Sequence, residues 1–128
     1  MVNKTIGNRT EQEFLKQLKE WRYWCYLTPD KVNGQPCDVI AIRDNVGWLI
    51  DVKHCNDNRF DFKRIEPNQL MCFEYNRMMG NNNTGFAIYF QKRCIWKLLR
   101  YDTYCKYLRQ GASVSIDSEY LEDLCVLE

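Results

Sequence analysis

Charge of one sign is in short supply: 18 lysines and arginines stand against 17 aspartates and glutamates in 128 residues, leaving +1. A basic carpet that binds nucleic acid indiscriminately is thereby excluded, and any phosphate contact has to be local. Histidine is reduced to His54 alone, and none of the seven cysteines stands in a C-x-x-C pair. These shortages argue against a zinc site, and thiols that are odd in number and scattered make no disulfide framework. Reduced thiols of a cytosolic protein fit best. No apolar run approaches the ~20 residues of a membrane-spanning helix, and no charged segment followed by an apolar one opens the chain. The expectation is a soluble, cytoplasmic protein. Internal repeats and low-complexity linkers are also missing, so residues 1–128 are read as one domain. What is present in quantity is aromatic side chain, 14% of residues, which predicts a packed globule rather than a disordered chain.

Local pattern divides the chain into elements. Thr10 and Glu13 form a T-x-x-E capping box, which predicts a first helix over 10–20 with Phe14, Leu15 and Leu18 as its apolar stripe. Tyr23 to Leu27 reads as a strand, followed by a loop through Thr28-Pro29-Asp30-Lys31 and Asn33-Gly34. PCDVIAI and WLIDVK are strand-like runs joined by the turn chemistry of Arg43 to Gly47, a β-hairpin. Asn56 to Ile65 reads as a polar, basic and aromatic loop. Pro67 and Gly80 bracket a second helix over 67–79. FAIYF and CIWKLL make two more strands across Gln91-Lys92-Arg93, and Asp102 to Arg109 a short helix. Ser113 to Ile116 reads as a strand and Ser118 to Leu124 as helix.

The hairpin concentrates the chemistry. With a turn centred near Asn45, Asp38 falls opposite Val52, give or take a residue. Side chains alternate faces along a strand, so Asp51 and Lys53 share one face while Trp48, Ile50 and Val52 share the other. Two acids and a lysine aimed at one patch can hold a hard divalent cation beside a phosphodiester. Glu11 lies on the same helix face as Phe14, Leu15 and Leu18, where it is either a working acid or a complement to the helix dipole. Glu13 is read as the cap and His54 as structural. Arg59, Lys63 and Arg64 are the candidate DNA contacts, with Arg9 and Lys31 behind them. Phe60 and Phe62 either pack on sugars and bases or seek the core. Lys92, Arg93, Lys97 and Arg100 are read as a solvated face.

Glu11, Pro36-Cys37-Asp38, Asp51-Val52-Lys53 and Gln69, in the order helix, strand, hairpin, helix, strand, resemble the PD-(D/E)xK nuclease superfamily. Within it the chain is most similar to RecU-type Holliday junction resolvases, over residues 6–120. The opening GNRTE resembles that family's spacing before the first helix. IDVKHCNDNRFDFKRIEPNQL resembles its metal strand, aromatic loop and helix start, with Gln69 at the family glutamine. TGFAIYF resembles its glycine-phenylalanine strand, and ASVSIDSEYL its late serine-isoleucine segment. One departure stands out: Thr28 to Pro36 is short where that family carries a stalk entering the junction.

The resemblance implies an α/β fold with a restriction-endonuclease-like core, a central mixed β-sheet flanked by helices. It implies a magnesium-dependent (Mg2+, with Mn2+ substituting) endonuclease cutting branched DNA, a Holliday junction resolvase of phage or bacterial origin working as a homodimer. In that reading Asp38, Asp51 and the Val52 carbonyl hold the metal, and Glu11 contributes through a bound water or a second ion. Lys53 orients the attacking water and neutralises phosphate charge, and Gln69 hydrogen-bonds water or Lys53. Two alternatives accompany it. One is a nuclease of the same superfamily acting on flap, nicked or single-stranded DNA; the other is a catalytically silent nucleic-acid-binding or inhibitory protein.

Overall fold

The computed structural model describes residues 2–29 and 35–128. Three helices, α1 (Val2–Glu20), α2 (Pro67–Met78) and α3 (Tyr101–Tyr107), accompany eight strands. The strands are β1 (Trp24–Leu27), β2 (Val39–Arg43), β3 (Val46–Cys55), β4 (Arg59–Asp61), β5 (Thr84–Phe90), β6 (Ile95–Arg100), β7 (Ser113–Ser115) and β8 (Glu122–Asp123). Six of them form one sheet in the order β1-β2-β3-β5-β6-β8. Every neighbouring pair is antiparallel except β3 with β5, so the sheet is mixed. A parallel pair cannot be closed by a tight turn; here the connection runs through β4 and α2.

Alternation along the central strands sorts the core into two halves. Val39 and Ala41 of β2, with Trp48, Ile50 and Val52 of β3, pack against Phe14, Leu15 and Leu18 of α1. On the other face Ile40, Leu49, Phe86, Ile88 and Phe90 pack with Phe73 of α2 and with Tyr101 and Tyr104 of α3. By the same alternation Asp51 and Lys53 point to the α2 side. Gly85 sits at a close approach inside the sheet, since a Cβ there would run into the Leu99 carbonyl oxygen.

The hairpin is tighter than the turn residues imply. β2 and β3 pair from Arg43 with Val46 to Val39 with Ile50, leaving Asp44 and Asn45 as the whole turn. Both have positive φ, 52° and 67°, as a two-residue type I′ turn requires. Continued one step, this register sets Asp38 across from Asp51, within the one-residue margin about Val52. Opposed residues share a face, so the register itself brings the two carboxylates together.

Several expectations need correction. α1 begins at Val2, so Thr10 and Glu13 stand inside the helix and form no cap. Thr10 is buried, and its hydroxyl lies 2.9 Å from His54 Nδ1. The capping box belongs to α2 instead, where Gln69 Oε1 accepts from the Glu66 N–H at 3.1 Å. The 56–65 stretch is ordered as β4 and a 3-10 turn, because β4 pairs with β7 in a second sheet. That pairing drives Phe60 and Phe62 into the core beside Tyr104 and Tyr107, so neither offers its ring to DNA. The 118–124 stretch is a turn followed by β8, with a 3-10 segment only from Leu124.

Candidate active site

The site is assembled by the α2-side face of β3, the residues entering β2, and the first turn of α2. Asp38, Asp51 and Gln69 are buried there, and the Lys53 side chain is 12% exposed. Each oxygen of Asp38 has a donor: Oδ2 takes the Val52 N–H at 2.7 Å and Oδ1 takes Gln35 Nε2 at 2.8 Å. Gln69 connects the other members. Its Nε2 donates to Asp51 Oδ1 at 2.8 Å, and its Oε1 accepts from Lys53 Nζ at 3.3 Å. Asp51 Oδ2 lies 3.0 Å from Lys53 Nζ as an ion pair, yet it is buried and meets no donor in hydrogen-bonding alignment.

Electrostatics follow from that crowding. Burial pushes the Asp51 carboxyl well above the usual carboxylate range; the Asp38 carboxyl, within hydrogen-bonding reach, pushes the same way, and Lys53 opposes them. Without a cation, burial and the neighbouring Asp38 therefore both work against charge on Asp51. Burial also pushes the neighbouring Cys37 thiol up to about 12, with Cys72, Asp38 and Asp51 adding to the effect. Cys37 is a neutral packing residue, not a thiolate nucleophile.

Beside the carboxylates a groove of about 500 Å³ is lined by Gly7, Val52, Lys53, Arg59, Asp61 and Arg64, among others. Lys53 belongs to both the groove and the carboxylate site and so joins the two. Arg59 is held by Ser113, its Nη1 lying 2.9 Å from Oγ, and the Arg64 guanidinium sits 5.4 Å from the Phe60 ring centroid.

The structure thus brings Asp38, Asp51, Lys53 and Gln69 into one cluster and sets Arg59 and Arg64 beside it. Glu11 is half-buried on α1, and among the described residues no group of three or more acids, histidines or cysteines placed to hold a metal is found. Lys63 is exposed but does not line the groove, and Arg9 lines a separate cleft with Thr10, Glu13, His54, Tyr89 and Gln91. Lys31 lies outside the described residues. His54 is occupied by Thr10 and Gln91. Lys92, Arg93, Lys97 and Arg100 each pair with a carboxylate, Asp57, Asp117, Asp123 and Glu122 respectively.

Two participants escape a reading of motifs. Gln35 holds Asp38, and Asn68 Nδ2 donates to the Gln35 carbonyl at 2.8 Å. Adjacent residues of α2, Asn68 and Gln69, therefore brace both carboxylates. The only advance signal was an amide three residues before Asp38.

No family model matches the chain, and no curated protein sequence matches it significantly. Solved structures do resemble it. Hjc, a Holliday junction resolvase from the archaeal hyperthermophile Archaeoglobus fulgidus, superposes with a TM-score of 0.70 at 17% identity, covering 95% of this chain and 100% of its own. The bacterial homing endonuclease I-Ssp6803I gives 0.57 at 11% identity, covering 84% of this chain and 70% of its own. Taken with the mixed sheet and its flanking helices, these likenesses show that the chain has a restriction-endonuclease-like α/β fold.

Proposed function

We propose that the chain is a metal-dependent endodeoxyribonuclease of the Holliday junction resolvase kind, acting on branched DNA. One observation carries this reading: two buried carboxylates, Asp38 and Asp51, in contact with each other and facing Lys53 beside a groove. Two such carboxylates repel unless a proton or a cation lies between them. The buried Asp51 Oδ2, paired with Lys53 but in hydrogen-bonding alignment with no donor, would be open to a cation. The donors are all oxygen, which suits a hard ion such as magnesium, with manganese as a substitute. Asp38 and Asp51 would hold it. Val52 backbone groups point to the same side as those of Ile50, whose carbonyl accepts from the Asp38 N–H, so the Val52 carbonyl is the natural third ligand. Glu11 would contribute through a bound water or a second ion. When bound, such an ion supplies Lewis-acid stabilisation of phosphoryl charge and lowers the pKa of a coordinated water.

The remaining work belongs to the chain. Lys53 presents a positive charge where the phosphoryl oxygens become more negative, and its low exposure strengthens that interaction. Gln69 keeps Lys53 and Asp51 at fixed separation through its two amide ends. Arg59 and Arg64 hold flanking phosphates along the groove and so position the scissile bond. Resolution of a four-way junction needs paired cuts in opposing strands, which the homodimer reading supplies.

The deciding experiment compares cleavage of a four-way junction, a flap and a linear duplex with magnesium, beside sedimentation of the protein alone. Magnesium-dependent paired nicks in the junction by a dimer are expected. Equal cutting of all three would remove junction resolution and leave the general nuclease. No cutting of any would sink the enzyme reading.

A further inference from the structure

We propose that the exposed rings of Trp24 and Tyr26 form a stacking platform for unpaired bases of the DNA strand entering the carboxylate site. At a branch point the bases it would hold are those that leave their pairs beside the scissile bond. This rests on the nuclease reading above and names its substrate class.

β1 is the outer strand of the sheet, and its alternate residues part company. Cys25 and Leu27 pack toward α1, whereas Trp24 and Tyr26 are 60% and 48% exposed. Trp24 pairs with Ile42 and Tyr26 with Ile40. Opposed residues share a face, and Ile40 and Ile42 follow Asp38 by two and four positions. Both rings therefore stand on the same face of the sheet as Asp38 and Asp51. From strand rise and spacing, Tyr26 lies about 8 Å from Asp38 and Trp24 about 14 Å, measured along the backbone grid. At about 3.4 Å of rise per nucleotide, that is about two to four nucleotides from the reacting bond.

The rings are also arranged for flat ligands. Their planes are parallel to within 7° with centroids 6.4 Å apart, and among the described residues neither packs on a third ring. Ile42, 44% exposed, extends the apolar floor beside them. In a duplex the base faces are already covered by neighbouring bases, so only an unpaired strand or an end can offer faces to such a platform. Cations sit at both ends of the track: Lys53 at the carboxylates, and exposed Arg22 in the turn before β1.

The test measures binding, so that it reads independently of cutting. An Asp51→Asn background keeps DNA intact, and fluorescence anisotropy at fixed salt compares a flap, a single strand and a duplex of equal length. Trp24→Ala with Tyr26→Ala should weaken flap and single-strand binding by about 5-fold or more for each ring and leave duplex binding unchanged. Trp24→Phe with Tyr26→Phe should restore most of the loss, since a ring remains. No loss, or equal loss on all three DNAs, overturns the platform while magnesium-dependent cutting by the wild type keeps the nuclease reading. A fall from dimer to monomer with unchanged DNA preference overturns it too, and assigns the surface to a second copy of the chain. Wild-type protein that binds none of these DNAs defeats both.

Discussion

Gln69 donates through Nε2 to Asp51 Oδ1 at 2.8 Å while its Oε1 receives Lys53 Nζ, so one amide on α2 sets the orientation of two groups on β3. Partners of this kind are worth about 10- to 100-fold in metal affinity or activity. Gln69→Ala should therefore lower single-turnover cleavage and manganese affinity by about that factor. It also opens the α2 capping box, which costs about 1 kcal/mol of stability. Unchanged manganese affinity with reduced stability would leave Gln69 a cap and nothing more.

The buried pair has a stability signature. The Asp51 pKa is raised in the folded protein, so its contribution to stability is fully present below the unfolded carboxylate pKa of about 3.9 and is lost as pH rises through the folded value. In chelator, the wild-type Tm should fall relative to that of Asp51→Asn as pH rises from the acidic range. Magnesium should cancel the difference by neutralising the pair. Parallel Tm–pH curves for the two proteins in chelator would refute the buried-pair account.

Cleavage should be abolished by Asp38→Asn or Asp51→Asn with the fold retained, because the amide keeps the volume but loses the charge that holds a cation. Asp38→Ala should cost more stability than Asp38→Asn. It leaves the Val52 N–H and Gln35 amide without their acceptor, a loss of about 1–3 kcal/mol for an unsatisfied buried group. Near-wild-type cutting by either asparagine variant would refute the metal assignment.

Arg64 lines the groove and Lys63 does not, although the two are neighbours. Arg64→Ala should weaken binding to every DNA and reduce the slope of log K against log salt by about 1. Lys63→Ala should do markedly less. A reversed ranking would move the DNA path out of the groove.

Phe60 is wholly buried. Phe60→Ala should cost about 3–5 kcal/mol in denaturant unfolding, while a Phe60→Leu variant that still folds should bind DNA as the wild type does. Selective loss of DNA binding in Phe60→Leu would return this ring to the interface.

What the sequence determined by itself is whatever rests on interactions a few residues long. The β2–β3 hairpin, the start of α2 at Pro67 and its stop at Gly80, β5 and β6 all carry turn or capping chemistry and a periodic apolar pattern within reach of one another. The face shared by Asp51 and Lys53 follows from strand alternation alone, and so does its opposition to Val52. Tertiary structure decided the rest. Whether the turn holds two residues or three changes which residue faces Asp38, and only the pairing of whole strands settles that it is Asp51. Pairing of β4 with β7, more than fifty residues away in sequence, buries Phe60 and Phe62, so a basic-aromatic run with the look of a DNA-binding loop became half core and half groove. The T-x-x-E pattern at Thr10 failed as a helix start because α1 already runs from Val2, and the Thr10 hydroxyl inside it meets His54 on β3 instead. The raised Asp51 pKa likewise arises from α2 closing over β3: desolvation is a property of what surrounds a group, and nothing within a few residues of Asp51 supplies it.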